Sequence, residues 1–232
     1  MENKDSSSGK SSHVTLYVND SSQPSRAVMI FCDLNGIKYE KKVINVFAGE
    51  QFSPEYKKLN PASQVPCLVN GDFVISESHT ILKYLHATKK CADHWYPSDI
   101  LKRTKIDEIL DWHHTNLREG VHTYILRKIV YPMMGKETPE WELKDLLKKF
   151  KKSCKYLNTL LKSSDYLFGK EMTIADLAIF SEFIDYKLHP DFDVSSYPEL
   201  QKWSKRMQSV PEVVNACYTT LKGAEKDKLA KI

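Results

Sequence analysis

Ser63-Gln64-Val65-Pro66-Cys67-Leu68-Val69-Asn70-Gly71-Asp72-Phe73-Val74-Ile75-Ser76-Glu77-Ser78 is the stretch on which the fold of this chain turns. Asn70-Gly71-Asp72 supplies a tight turn, and the apolar runs Val65 to Val69 and Phe73 to Ile75 flank it as the two strands of a β-hairpin. A proline at the mouth of a strand has no N–H for the ladder and is out of place unless the chain bends there. A cis Val65-Pro66 bond is an economical bend. It would leave the N–H and C=O of Val65 at a sheet edge, free to pair with an extended peptide as an added strand.

Glu77 and Ser78 directly precede the apolar-periodic run Ile81, Leu82, Tyr84, Leu85, so they stand at the N-terminus of a helix, an end that attracts carboxylates. With Glu77 beside it to pair with an ammonium, such a corner can read both halves of an α-amino acid head group while Val65 reads a peptide bond nearby. Ser and Glu also serve there as an ordinary cap and a solvated first-turn acid. The hairpin alone leaves both readings open.

Working outward, 232 residues are enough to bury a sizeable core and favour two domains over one. A formal charge of +4 and a pI near 8.6 are mildly basic, but Lys and Glu are interleaved with no basic run, which argues against a nucleic-acid partner. The cysteines Cys32, Cys67, Cys91, Cys154 and Cys217 are odd in number and widely spaced, with no Cys-x-x-Cys pair. They predict reduced thiols, without a disulfide framework or a structural zinc site. No apolar leader region and no run of membrane length occurs, so the expectation is a soluble intracellular protein without membrane association.

Met1 to Ser12 carries almost nothing apolar and is expected to be a disordered arm. Val14 to Val18 alternates as a strand, and Asn19 to Pro24 breaks it. A helical pattern begins at Arg26, with Ala27, Val28, Ile30, Phe31 and Leu34 on one face and Gly36 as its C′ residue. Ile37 to Val46 reads as a strand with a charged edge, Ser53 to Leu59 as a short helix, and Ser78 to Lys89 as a helix after the hairpin. The order β-α-β-α-β-β-α is the thioredoxin-like pattern. Its functional corner lacks the redox cysteine pair, which argues against disulfide exchange.

Cys91 to Asp99, with Pro97, reads as a linker. From Ile100 the periods are helical: Leu101 to Ile129, Glu140 to Leu161, Ala175 to Leu188, Glu199 to Ser209 and Glu212 to Leu221. Thr173-Ile174-Ala175-Asp176 is a capping box, a structural feature, opening the run Leu177 to Phe180. The expected organisation is an arm at 1–12, an α/β thioredoxin-like domain at 13–90, a linker at 91–99, an all-α helical domain at 100–222 and a tail at 223–232.

Ser22-Gln23-Pro24-Ser25-Arg26, Gln64-Val65-Pro66, Glu77-Ser78, His94-Trp95-Tyr96-Pro97, the Thr173 to Asp176 box and Asp111-Trp112-His113-His114-Thr115-Asn116-Leu117-Arg118, in this order, resemble the glutathione transferases of the theta class, above all its plant-type members. The likeness runs from Val14 to about Leu221. It implies attack of the glutathione sulfur on a small hydrophobic electrophile, or reduction of organic hydroperoxides by the same thiolate. Glutathione is then a co-substrate, and no cofactor is needed. By resemblance Ser22 stabilises the thiolate, and Gln23, Gln51, Gln64, Val65, Pro66, Glu77 and Ser78 contact glutathione, with Gln51 at the glycyl carboxylate. The family also implies a homodimer. Cys67 departs from the alanine common after the proline and suggests an oxidisable thiol near the site.

A free thiol of pKa about 8.5 is only a few per cent ionised at pH 7. Lowering it by about two units needs roughly 2.7 kcal/mol of preference for the thiolate. One hydroxyl hydrogen bond to a charged acceptor supplies about 1.5 to 3 kcal/mol, and a helix N-terminus about 0.3 to 1. Ser22 at a helix start can therefore suffice without a base, while also serving as an N-cap. Tyr17, at the end of the first strand, is the rival, and Ser21 a weaker third.

Asp107, Asp111, His114 and Arg118 fall at spacings of four, three and four and share one helix face. That stripe is either a hydrated face with ordinary ion pairs or the wall of a cleft in which His114 and Arg118 meet glutathione or the electrophile. No metal or nucleotide pattern is present. Two functions from different classes remain at this stage: a transferase, or a non-catalytic glutathione-binding or protein-interaction module on the same fold. The C-terminal Ala230-Lys231-Ile232 loosely resembles a peroxisomal address, an alternative to a cytoplasmic location.

Overall fold

In the computed structural model, residues 14–217 are described. The expected arm at 1–12, the part of the expected last helix beyond 217 and the expected tail with Ala230-Lys231-Ile232 lie outside them. The first half runs β1 (Val14–Val18), α1 (Gln23–Leu34), β2 (Tyr39–Val43), α2 (Pro54–Leu59), β3 (Cys67–Asn70), β4 (Phe73–Ser76) and α3 (Ser78–Thr88). The strands form one sheet in the order β2-β1-β3-β4, with β1 parallel to β2 and antiparallel to β3, and β3 antiparallel to β4. This is the expected thioredoxin-like arrangement.

Alternation decides which face of β1 enters the core. Val14, Leu16 and Val18 are buried against α1 and α3, while Tyr17 is only half-buried on the opposite face. β2 is the exposed edge, and its charged Glu40, Lys41 and Lys42 discourage pairing with other chains. The first hairpin strand begins at Cys67 and not at Val65, because Pro66 has no N–H for the ladder. Gly71, at φ +64, carries the turn. In register, Tyr17 faces Cys67 and Cys67 faces Ser76. The end of β1, the start of β3 and the end of β4 therefore lie side by side, and everything the chain places just beyond them emerges at one end of the sheet.

From residue 100 every named element among the described residues is helical: α4 (Ile100–Thr115), π-helical turns at Glu119–Thr123 and Leu126–Val130, α5 (Tyr131–Met133), α6 (Glu140–Leu160), α7 (Ile174–Phe183), a 3-10 turn at Ile184–Leu188, and α8 (Pro198–Met207). A further helix covers 211–217. The single helix expected from Leu101 to Ile129 is broken. Asn116 leaves the helical region (φ −122, ψ −83), with its Nδ2 donating back to the Trp112 carbonyl at 2.9 Å. Just beyond, Gly120 passes so near α6 that a Cβ there would lie 2.6 Å from the Phe150 nitrogen. The apolar period continues across this break, so periodicity alone does not reveal it.

α7 is the central element, with all of its residues buried and both α1 and α4 packed on it. Its start is held by Asp176, which is fully buried and accepts from Thr173 N and Oγ1 (both 2.9 Å), Leu167 N (3.0 Å) and Trp203 Nε1 (3.0 Å). The expected capping box is present and extends to a second helix through Trp203. Asp176→Ala would orphan these donors in the core. The expected cost is about 3 to 5 kcal/mol, a fall in Tm on the order of 10 °C. A thermal melt unchanged by the substitution would contradict it.

Candidate active site

Ser22 is the N-cap of α1, with extended backbone (φ −83, ψ 117) and Pro24 in the first turn. Its carbonyl accepts from Arg26 N at 3.0 Å, but its hydroxyl accepts from Ser25 N only at a long 3.4 Å. The hydroxyl is thus half-buried at a helix N-terminus and weakly engaged, free to donate outward. Ser21 is exposed, and its N–H is taken by Asn19 Oδ1 at 2.9 Å. Tyr17 packs: its ring lies 5.9 Å from that of Tyr56, and Lys42 Nζ sits 5.5 Å above it.

The Val65-Pro66 bond is cis, as the strand mouth required. Behind it the Gln64 carbonyl accepts from Tyr56 Oη at 2.6 Å and Asn60 Nδ2 at 2.8 Å, which fixes the loop while the Gln64 residue itself stays exposed. Glu77 is exposed and held at φ +69, a conformation L-residues rarely adopt. It is the N-cap of α3 yet makes no capping bond, and Ser78 is the buried first residue of that helix and not its cap. The ordinary capping role is therefore absent at this corner. Gln51 lies apart from the hairpin in sequence, on the 3-10 turn Glu50–Phe52. Its Nε2 donates to the Val46 carbonyl at 3.3 Å, and its Oε1 is buried without a partner.

The sheet register brings Ser22, Val65-Pro66 and Glu77-Ser78 to one end of the molecule. The stripe on α4 divides. Asp107 binds Tyr96 Oη at 2.9 Å and Lys83 Nζ at 2.5 Å, Asp111 is exposed, and only the far half turns toward this corner. His114 stacks at 4.6 Å on His79, the second residue of α3. Arg118, past the break at Asn116, reaches Glu182 Oε2 at 2.7 Å.

Beneath this corner lies a buried charged seam that the sequence reading missed. Arg26, with no exposed surface, donates to Asp185 Oδ1 and to the Ser181 carbonyl, each at 2.6 Å. Gln23, expected as a glutathione neighbour, is buried, and its amide nitrogen is spent on Asp185 Oδ2 at 2.8 Å and His122 Nδ1 at 3.3 Å. Burial pushes the Asp185 carboxyl up, to about 6, against the pull of Arg26. Burial would raise Glu182 as well, but Arg118, with the imidazoles of His113 and His122, outweighs it and holds that carboxyl down at about 2. The available signal was polar: Glu182 and Asp185, three apart, are carboxylates within a mostly apolar run.

Cys67 is fully buried, and burial pushes its thiol up to about 11. Thiolate is scarce there, so the expectation of an oxidisable cysteine is corrected. Among the described residues no group of three or more His, Cys, Asp and Glu side chains is arranged to hold a metal ion. A depression of about 480 Å³ lined by Ser163, Lys170, Trp203 and Arg206 contains none of the residues above.

The glutathione S-transferase N-terminal domain family matches residues 12–87 and the C-terminal domain family residues 121–211. Glutathione S-transferase T1 of Arabidopsis thaliana is 38% identical over 81% of this chain and 80% of that protein. The chain belongs to the glutathione S-transferase family. Glutathione S-transferase T2 of the same plant is 37% identical over 84% of this chain, which spans 35% of that longer protein. Among solved structures, a human theta-class glutathione transferase in complex with the glutathione conjugate of 1-menaphthyl sulfate superposes with a TM-score of 0.86 at 28% identity, covering 94% of this chain and 91% of that one. The resemblance read from the motifs, the two-part fold and the transferase class are thereby established.

In this transferase the buried histidine beside Ser78 sets an acid limit. Burial first, then His113, His114, Lys83 and Arg118, push His79 down to about 2. Below pH ~6.5 the unfolded chain binds a proton that the folded chain refuses, so this residue removes about 1.4 kcal/mol of stability per pH unit as pH falls toward the folded value. His79→Leu is expected to flatten that slope in urea melts taken between pH 6.5 and 4.5. An unchanged slope would mean that His79 titrates normally in the fold.

Proposed function

We propose that this transferase holds the glutathione sulfur as a thiolate against the Ser22 hydroxyl and the N-terminus of α1, and directs it at small hydrophobic electrophiles. Conjugation forms the carbon–sulfur bond and expels the leaving group. With an organic hydroperoxide the thiolate attacks the peroxide oxygen, giving the alcohol and a glutathione sulfenic acid, which a second glutathione converts to the disulfide and water. The reading is carried by one observation above others. A weakly engaged serine hydroxyl stands at a helix start on the same end of the sheet as the cis-proline loop and the uncapped end of α3. In this reading Val65 and Pro66 meet the cysteinyl backbone, Gln64, Glu77 and Ser78 the γ-glutamyl end, and Gln51 the glycyl carboxylate. His114 and Arg118 border the electrophile. The glutathione conjugate held by the human theta-class neighbour supports conjugation by displacement of a leaving group.

We further propose a homodimer and a cytoplasmic location in a detoxifying role, with Ala230-Lys231-Ile232 as the basis for a peroxisomal alternative. No helix among the described residues is long and apolar enough to cross a membrane. Phe73 and Val74 on β4, with Ile100 and Leu101 at the start of α4, are exposed apolar surface of the kind that a second copy covers. Light scattering should give about twice the 26.8 kDa chain mass, and a monomer mass would refute the dimer.

Three variants separate the roles at the site. Ser22→Ala should lower kcat/KM roughly tenfold to a hundredfold, the worth of one hydroxyl bond to a charged sulfur, and raise the pH midpoint of activity by about one to two units. Tyr17→Phe should leave that midpoint in place. Glu77→Gln should raise KM for glutathione more than it alters the pH profile. A midpoint that follows Tyr17, or full activity in Ser22→Ala, would overturn the assignment of the thiolate-holding residue.

A further inference from the structure

We propose that Asp185, in the helical half of the molecule, is a positioning residue for Ser22, acting through Arg26 and Gln23; this rests on Ser22 holding the thiolate. The argument begins with what holds Ser22 in place. Its own hydroxyl has one long contact, at 3.4 Å. Its neighbours are tied down instead. The Ser21 carbonyl accepts from Arg26 at 3.4 Å, and the Gln23 side chain donates to Asp185 Oδ2 at 2.8 Å. Arg26, one turn on, donates to Asp185 Oδ1 at 2.6 Å and through its backbone N–H to the Ser22 carbonyl at 3.0 Å.

One carboxylate thus uses each oxygen on a different residue of the first turn of α1, holding Gln23 directly and Ser21 through Arg26. Gln23, Arg26 and Asp185 are all buried, so the charge-assisted bonds among them are short and their geometry is tightly defined. A buried pair of this kind contributes little net stability compared with apolar packing. Its geometric consequence for Ser22 is the larger effect. The other charged or titratable groups facing Asp185 are Glu182 one turn earlier and the Cys217 thiol from the 211–217 helix, with His122 meeting the same Gln23 amide.

The direction of a pH shift separates this role from a purely electrostatic one. Asp185→Asn leaves the Arg26 cation less neutralised, so if the carboxylate acted only by its charge, the thiol would ionise more easily and the midpoint of activity would fall. If it acts by position, the Ser22 hydroxyl is misaimed and the midpoint rises. The expected result is kcat/KM about tenfold lower and a midpoint up by as much as about one unit, with KM for glutathione unchanged. In the Ser22→Ala background the same substitution should do almost nothing further, because the group it positions is gone.

Should Asp185→Asn fail to fold, Gln23→Met gives the decision. It removes one arm of the clamp while Arg26 and Asp185 stay paired, and it should move the midpoint upward to a smaller extent, again only when Ser22 is present. If Ser22→Ala is itself silent, the serine reading fails. If Ser22→Ala is strong but the second substitution adds to it in full, lowers the midpoint, changes only Tm, or raises only KM for glutathione, the serine reading stands and the positioning role of Asp185 is overturned.

Discussion

The Arg26 guanidinium has no exposed surface, and burying a cation costs several kcal/mol unless a counter-charge and hydrogen-bond acceptors meet it. Those partners are Asp185 and the Ser181 carbonyl, both contributed by the end of α7 and the turn after it. The first helix of the sheet half must therefore lie against the central helix of the other half, and in one register only. α7 can accept that role because every one of its residues is buried, and because Asp176 locks its other end to Trp203. Glu182 repeats the arrangement one turn away, taking Arg118 and, at 3.6 Å, His113 from the α4 side. Two carboxylates, Glu182 on α7 and Asp185 on the turn after it, thus bind the elements that carry Ser22 and Arg118.

Legibility in the sequence followed the range of the interactions. The hairpin was readable because turn, strands and proline are neighbours, and the cis bond followed from a proline placed where a ladder N–H was needed. The order of elements along the chain and the helical second half followed from period-two and period-3.6 patterns. Cys67 was misread because its reactivity depends on the strands around it, which bury it fully. The break at Asn116 was invisible because the apolar period runs across it, and the close approach of Gly120 to α6 just beyond joins residues thirty positions apart. Arg26 stood inside a recognised motif, but its partner lies 159 positions away, and no local pattern pairs them. The bond from the Gln23 side chain to Asp185 was hidden for the same reason, since the two are distant in sequence.

The seam also bears on the proposal that a hydroxyl, and not a base, meets the sulfur. A general base works best when its pKa is near that of the working solution. His79, closest to the α3 corner, is held near 2, and His114 and His122 are both lowered first by burial and then by neighbouring charges. All three are shifted away from neutral pH. The full charges largely cancel, Arg26 against Asp185 and Arg118 against Glu182, so neither sign dominates beneath the corner. The helix N-termini of α1 and α3 and the Ser22 hydroxyl remain as directed donors. A site built this way stabilises an anion by geometry more than by net charge, so small errors in aim at Ser22 should matter more than changes in the surrounding field.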